Sequence, residues 1–256
     1  MRVLLCNDDG IDFKGLHILV QAFSEIADVY VAAPESQRSS YSHHLTIKGK
    51  VRYEERNFPY ATKAYALWGS PADCVHLGLN YLFGKDMDLI VSGINNGANV
   101  STDIIYSGTI GAAREAYIYG YPAMAVSLDG FEEKHFETAG AYAVKIALEY
   151  LKDENRNSYF INLNVPDLEY KDIQGIKVCD RIGRVAYHDE FYHELIQDKD
   201  YIVIKENGST FLGDENDLRI DRSALLNGYV SLSPLGNGHI DESFMEAVEE
   251  IAQKCR

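Results

Sequence analysis

Residues 3–10 read VLLCNDDG. Val3 to Cys6 is a short apolar run, the mark of a buried strand, and it passes directly into Asn7, Asp8, Asp9 and Gly10. Neighbouring side chains on a strand point to opposite faces. Asp8 and Asp9 therefore face one point only if the chain bends there, and Gly10 permits that bend. Two carboxylates held close repel, so they need a cation or a shared proton. An isolated Asn-Asp-Asp-Gly also makes an ordinary solvated turn. Its place directly after the first buried strand argues for more than a turn.

Outward from this stretch, strand and helix patterns alternate. Leu16, Leu19, Val20, Phe23 and Ile26 recur at helical spacing. Val29–Ala33 reads as a second strand, closed by Pro34, and Pro71 opens a helix carrying Val75, Leu79 and Leu82. Leu89–Val91 is a buried strand followed by Gly93, and a helix runs from near Ser107 to about Tyr119. Ala123–Leu128 is a strand, about Lys134–Leu151 a long helix, and Phe160–Val165 a strand ended by Pro166. Alternating apolar strands and helices predict an α/β fold: a Rossmann-like, mostly parallel sheet with helices on both faces. After Pro166 the pattern weakens. Residues 167–217 are rich in charge and tyrosine and read as hairpins and loops projecting from the sheet. Gly228–Pro234 then reads as a returning strand, and Phe244, Val248 and Ile251 as a terminal amphipathic helix. No repeat or low-complexity linker divides the chain. Residues 1–256 therefore read as one domain, with a core of about 1–166, an extension of about 167–227, and a closing strand and helix of about 228–256.

The 256 residues carry 24 Lys and Arg against 39 Asp and Glu, a formal charge of −15. That balance disfavours duplex DNA or long RNA, which require a positive face, but leaves room for a small phosphorylated ligand. No apolar run approaches the ~18 residues of a membrane span, and the first residues lack a secretory leader. Cys6, Cys74, Cys179 and Cys255 lie far apart without a C-x-x-C spacing and read as reduced thiols of a cytoplasmic protein.

In open α/β sheets, ligands bind beyond the carboxyl ends of strands. Three polar segments occupy such ends: Asn7–Gly10, Pro34–Ser40 and Ser92–Asn99. Carboxylate, hydroxyl and asparagine oxygens are hard donors suited to Mg²⁺ or Mn²⁺. Ser107, Gly108 and Thr109 open a helix whose free N–H groups form an anion site, although plain capping by Ser107 also explains them. His43 and His44 follow on the loop after Ser39, where a histidine serves as proton carrier or substrate contact, or sits on the surface. Arg38 and Arg114 are cations for a phosphate or partners for nearby acids, Asp103 orients a ligand or pairs within a loop, and Trp68 offers a stacking face.

Taken together, the chain resembles the SurE (survival protein E) family of metal-dependent nucleotidases. The resemblance rests on Val3–Gly10 with Gly15, Ala32–Ser39 (AAPESQRS), Gly69–Leu77 (GSPADCVHL), Asp88–Asn99 (DLIVSGINNGAN) and Ile105–Glu115 (IYSGTIGAARE), with weaker matches at Asn162–Pro166 and Gly228–Pro234. It implies an α/β core with an extension used in oligomerisation. It also implies hydrolysis of nucleoside monophosphates, at the 5′ or 3′ position, with one divalent ion, Mg²⁺ or Mn²⁺, per subunit. Position by position, the metal ligands fall on Asp8, Asp9, Ser39 and Asn95, and the phosphate contacts on Ser107, Gly108 and Thr109. Asn96 and His43 are placed with the substrate. Asp8 or Asp9 accepts a proton from water, or Asp8 attacks directly. The implied assembly is a homodimer or homotetramer. The family has threonine where Ser70 stands, and Arg181–Asp221 follows its pattern poorly. Two other readings are a phospho-accepting receiver-like domain and a non-catalytic nucleotide- or phosphate-binding regulatory protein. A receiver is about half this length and requires a third aspartate after its third strand, where asparagines stand here.

Overall fold

The computed structural model describes residues 1–130, 135–197, 199–237, 240 and 242–255. Strand β1 (Arg2–Cys6) leads into helix α1 (Lys14–Ser24), and β2 (Asp28–Pro34) follows. Next come β3 (Tyr53–Arg56), β4 (Lys63–Leu67) and α2 (Pro71–Leu77), which continues through a wider π-helical turn at Gly78–Leu82. Then come β5 (Leu89–Asn96), the short α3 (Asp103–Tyr106), α4 (Gly108–Ile118), β6 (Ala123–Asp129), α5 (Phe136–Tyr150) and β7 (Phe160–Pro166). The last part holds β8 (Ile176–Val178), β9 (Val185–Ile196), β10 (Lys199–Phe211), α6 (Asp221–Leu226), β11 (Val230–Leu235) and α7 (Met245–Lys254).

Among the described residues nine strands form one sheet, in the order β3-β4-β2-β1-β5-β6-β7-β11-β8. The run from β4 to β7 is parallel, while β3 and β11 lie antiparallel to their neighbours β4 and β7. The two-residue period of β1 sorts its side chains. Val3 and Leu5 pack under α1 and α5 with Leu16, Phe23 and Ile146; Leu4 and Cys6 pack under α2 and α4 with Val75, Ile110 and Ala113. Each fully buried leucine of these layers contributes about 1.5–3 kcal/mol by leaving water. The sheet is therefore covered on both faces, as the alternating pattern predicted.

Three readings of the sequence change. β3 and β4 were not anticipated: Tyr53–Arg56 is an exposed edge strand with little apolar pattern, and β4 stands beside it. Strand β5 runs on to Asn96 rather than ending at Val91, with its register against β6 shifting between Ser92 and Asn95. The segment read as a strand-end loop is thus mostly strand, and Asn95 and Asn96 are its last residues. Helix α5 begins at Phe136, and the predicted start at Lys134 lies outside the described residues. The projecting region is a long two-stranded ribbon, β9 with β10.

Candidate active site

The carboxyl ends of β1, β2 and β5 meet, and named hydrogen bonds join them. Gly10 takes a left-handed φ of +105°, which makes the bend that the adjacent aspartates require. The Arg38 N–H donates to the Asp8 carbonyl at 2.6 Å, so the loop bearing Ser39 is tied to the β1 end. The Asn96 N–H donates to Asp9 Oδ2 at 3.1 Å, which ties the β5 end to the same point. Ser42 N–H donates to the Tyr106 carbonyl at 2.9 Å and holds the same loop along α3.

Asp8 is 4% exposed. The Thr109 hydroxyl donates to its Oδ1, and the backbone N–H groups of Gly108 and Thr109 act on the same carboxylate. A side chain at 108 would crowd this carboxylate, because its Cβ would lie 3.0 Å from Asp8 Oδ2. Burial pushes the Asp8 carboxyl above its ordinary range, and these hydrogen bonds pull it back down. Among the described residues no lysine, arginine or histidine pairs with Asp8. The anion at the start of α4, capped by Ser107 through the Ile110 N–H, is thus the protein's own Asp8. The donors of Gly108 and Thr109 that the sequence reading assigned to phosphate are directed at it.

Ser39 accepts from Gln37 Nε2 at 3.0 Å and is exposed. The Asn95 amide donates its NH₂ to the Gly97 carbonyl at 2.7 Å, which leaves the amide oxygen as its donor atom for a ligand. A buried carboxylate without a cationic partner, a second carboxylate beside it, a hydroxyl and an amide oxygen form a hard-oxygen set that fits Mg²⁺ or Mn²⁺. No group of three or more His, Cys, Asp or Glu side chains converges among the described residues.

Asp8, Ser39, Asn95, Asn96 and Ser107 line one cleft of about 500 Å³, within the range of small-ligand sites. Its other walls come from the Gly97–Asp103 loop, Tyr106, Asp129, the base of the β9–β10 ribbon, Glu215, Arg222 and Leu226. The loop is fixed by buried asparagines: the Asn99 N–H donates to Asn164 Oδ1 at 2.7 Å, and Asn99 Nδ2 to Ser127 Oγ at 2.8 Å. Asp221, 1% exposed, accepts from the N–H groups of Ser101 at 2.6 Å, Arg222 at 2.8 Å and Gly183 at 3.0 Å. One carboxylate thereby joins the cleft loop, α6 and the entry to the ribbon.

Other predicted residues lie elsewhere. His43 points its Nε2 at Glu115 Oε2, 2.7 Å away, and does not line the cleft. His44 gives its carbonyl to the Ser70 hydroxyl. Arg114 lies over the Phe160 ring and Trp68 under the Arg52 guanidinium. Asp103 does line the cleft, and accepts from the Tyr187 hydroxyl. Asp129 and Arg222, paired at 2.8 Å, went unnoticed in the sequence. The strand-end rule would have found Asp129, the last residue of β6. Nothing in the sequence pattern around it marks Arg222, which directly follows the weakly matching stretch Arg181–Asp221.

The family model described as "Survival protein SurE" matches residues 3–189. The 5′-nucleotidase SurE of Clostridium botulinum is 36% identical, over 99% of this chain and 98% of its own. The 5′/3′-nucleotidase SurE of Escherichia fergusonii is 39% identical, over 98% and 95%. The crystal structure of the SurE protein from Aquifex aeolicus superposes with a TM-score of 0.77 at 33% identity, covering 98% of this chain and 99% of that one. On the match of fold and sequence along nearly its whole length, the chain belongs to the survival protein SurE family.

Proposed function

We propose that this chain is a 5′-nucleotidase that hydrolyses nucleoside monophosphates to nucleoside and inorganic phosphate with a divalent metal. The relatives named above as nucleotidases support the reaction class. The observation that carries the metal dependence is Asp8: a buried carboxylate at the floor of the cleft with only neutral hydrogen-bond donors around it. Asp8, Asp9, Ser39 and Asn95 would hold the ion, Mg²⁺ or Mn²⁺. When bound, it supplies Lewis acidity and neutralises phosphate charge.

The chain's own groups do the rest. Thr109 and the α4 backbone keep the Asp8 carboxylate oriented and favour its ionised form. Of the two aspartates, Asp8 lines the cleft, so it takes the proton of the attacking water. Ser107 and Asn96 face the phosphoryl oxygens from the cleft wall, near the positive end of α4. The extension shapes the cleft and the assembly. On the outer half of the ribbon, Phe191, Leu195, Ile202 and Ile204 are 61–78% exposed on one face, which supports a homodimer or homotetramer.

The test is phosphate release from 5′-AMP, 3′-AMP, GMP and p-nitrophenyl phosphate, with Mg²⁺ or Mn²⁺ and with chelator. Release that requires metal is expected. No release from any of them under any metal removes the proposal in favour of a binding protein.

A further inference from the structure

The cleft reaches well past the carboxylate end, and its far wall is aromatic. β9 and β10 pair antiparallel with Tyr187 opposite Ser209 and Val185 opposite Phe211. Side chains alternate along each strand, so these four share one face of the ribbon, and all four line the cleft. Apart from Glu206, which also lines the cleft, most of the remaining ribbon is exposed.

Phe211 is held there by two glycines. A Cβ on Gly183 would come 2.6 Å from the Phe211 ring, and one on Gly213 would come 2.2 Å from it. Neither glycine has a left-handed backbone, so the chain conformation does not require glycine at 183 or 213; the ring excludes a side chain at 213, and the ring together with the Ser101 hydroxyl, also 2.6 Å away, excludes one at 183. Tyr187 is fixed as well, through its hydroxyl on Asp103. Two aromatic rings thus stand on the ribbon base, anchored before any ligand arrives, in the same cleft as Asp8. A phosphate ester without a base needs no such wall. A nucleotide does, because an aromatic face stacks on any nucleobase.

We propose that Phe211, with Tyr187, is the nucleobase platform of this cleft, and that Phe211 sets the preference for nucleotides over phosphate esters that lack a base. The proposal rests on the nucleotidase reading and names the part of the site that recognises the nucleoside. Stacking does not read base edges, so all bases are accepted, and purines, with the larger face, are favoured over pyrimidines.

The test compares kcat/KM for AMP, CMP and ribose 5-phosphate in the wild-type enzyme, Phe211→Ala and Phe211→Trp. Removing a stacking ring costs about 5- to 100-fold per base. The loss on AMP in Phe211→Ala is expected to exceed that on ribose 5-phosphate by at least about fivefold, mainly through KM, while Phe211→Trp keeps the AMP preference. Equal losses on AMP and ribose 5-phosphate would make the ring a packing element of the ribbon and overturn the platform, as would a neutral Phe211→Ala. If the wild type hydrolyses neither substrate, the nucleotidase reading fails. Calorimetric binding of AMP to wild type and Phe211→Ala then decides the platform alone, with unchanged affinity against it.

Discussion

Asp221→Ala is expected to unfasten the cleft from the ribbon and to be among the costliest single changes in the chain. The Asp221 carboxylate receives the backbone N–H groups of Ser101, Arg222 and Gly183 at 2.6, 2.8 and 3.0 Å, and it is 1% exposed. A hydrogen bond to a charged group contributes about 1.5–3 kcal/mol, and a buried donor left alone costs about 1–3 kcal/mol. Three such donors give an upper bound of about 9 kcal/mol, but bonds that share one acceptor are not additive and the loops relax toward water. The expected loss is about 3–5 kcal/mol, a large part of the ~5–15 kcal/mol of a typical domain. Asp221→Asn keeps one acceptor oxygen and should lose only about 1–2 kcal/mol. Burial pushes the Asp221 carboxyl up, its largest influence, ahead of the hydrogen bonds that pull it down. The fold therefore favours the protonated acid. The wild type's advantage over Asp221→Asn is fully present below the ordinary carboxylate range, and shrinks as pH rises through that range toward the raised folded value. Urea denaturation followed by circular dichroism at pH 4.5 and pH 7 measures both effects. A loss below ~1 kcal/mol for Asp221→Ala, or equal losses for the Ala and Asn variants, would refute the reasoning.

Asp8→Asn should lower turnover of AMP by at least about a hundredfold and weaken Mn²⁺ binding in calorimetry while leaving the melting temperature of the metal-free protein unlowered, since a neutral amide replaces a buried charge; ordinary metal affinity with full activity would contradict it. Gly15→Ala places a Cβ 2.2 Å from the Ile94 carbonyl oxygen, and should cost about 1–3 kcal/mol by displacing β5, read as a lowered melting temperature together with reduced AMP turnover. Light scattering should return a mass of two or four chains, and Phe191→Asp combined with Ile204→Asp should reduce it; a wild-type monomer would remove the assembly.

Sequence patterns gave the parallel core because its strands are buried on both faces and its helices on one. Val3–Cys6, Val29–Ala33 and Phe160–Val165 show this in four to six residues each. β3 escaped because an edge strand with exposed Glu54 and Glu55 has no apolar face to mark it. The strand-end rule selected the segments that hold Asp8, Ser39, Asn95 and Asn96, and the helix-start pattern selected Ser107, because local chain order alone places those segments at the cleft. It could not find the targets of the α4 donors. That Gly108 and Thr109 serve Asp8 depends on a contact across more than a hundred positions of sequence, and on the absence of a Cβ at 108. Nor could it find Phe211, whose partners Gly183 and Gly213 acquire meaning only once the ribbon folds.

The formal charge of −15 acquires a local form in the cleft. Among its described lining residues are five acids, Asp8, Asp103, Asp129, Glu206 and Glu215, and one cation, Arg222, which is already paired with Asp129 at 2.8 Å. Burial pushes Asp8 and Asp103 upward because neither has enough positive charge nearby to balance it. Such a surface repels a phosphate dianion over the whole of its approach. The same field attracts a divalent cation, and the adjacency of Asp8 and Asp9 concentrates that attraction at the bend after β1. On the proposed reading, the ion would be in place before a phosphate is held, and the platform at the ribbon base would draw its affinity from stacking rather than charge. Affinity for the nucleoside alone should then persist when the metal is removed, whereas affinity for inorganic phosphate should vanish with it.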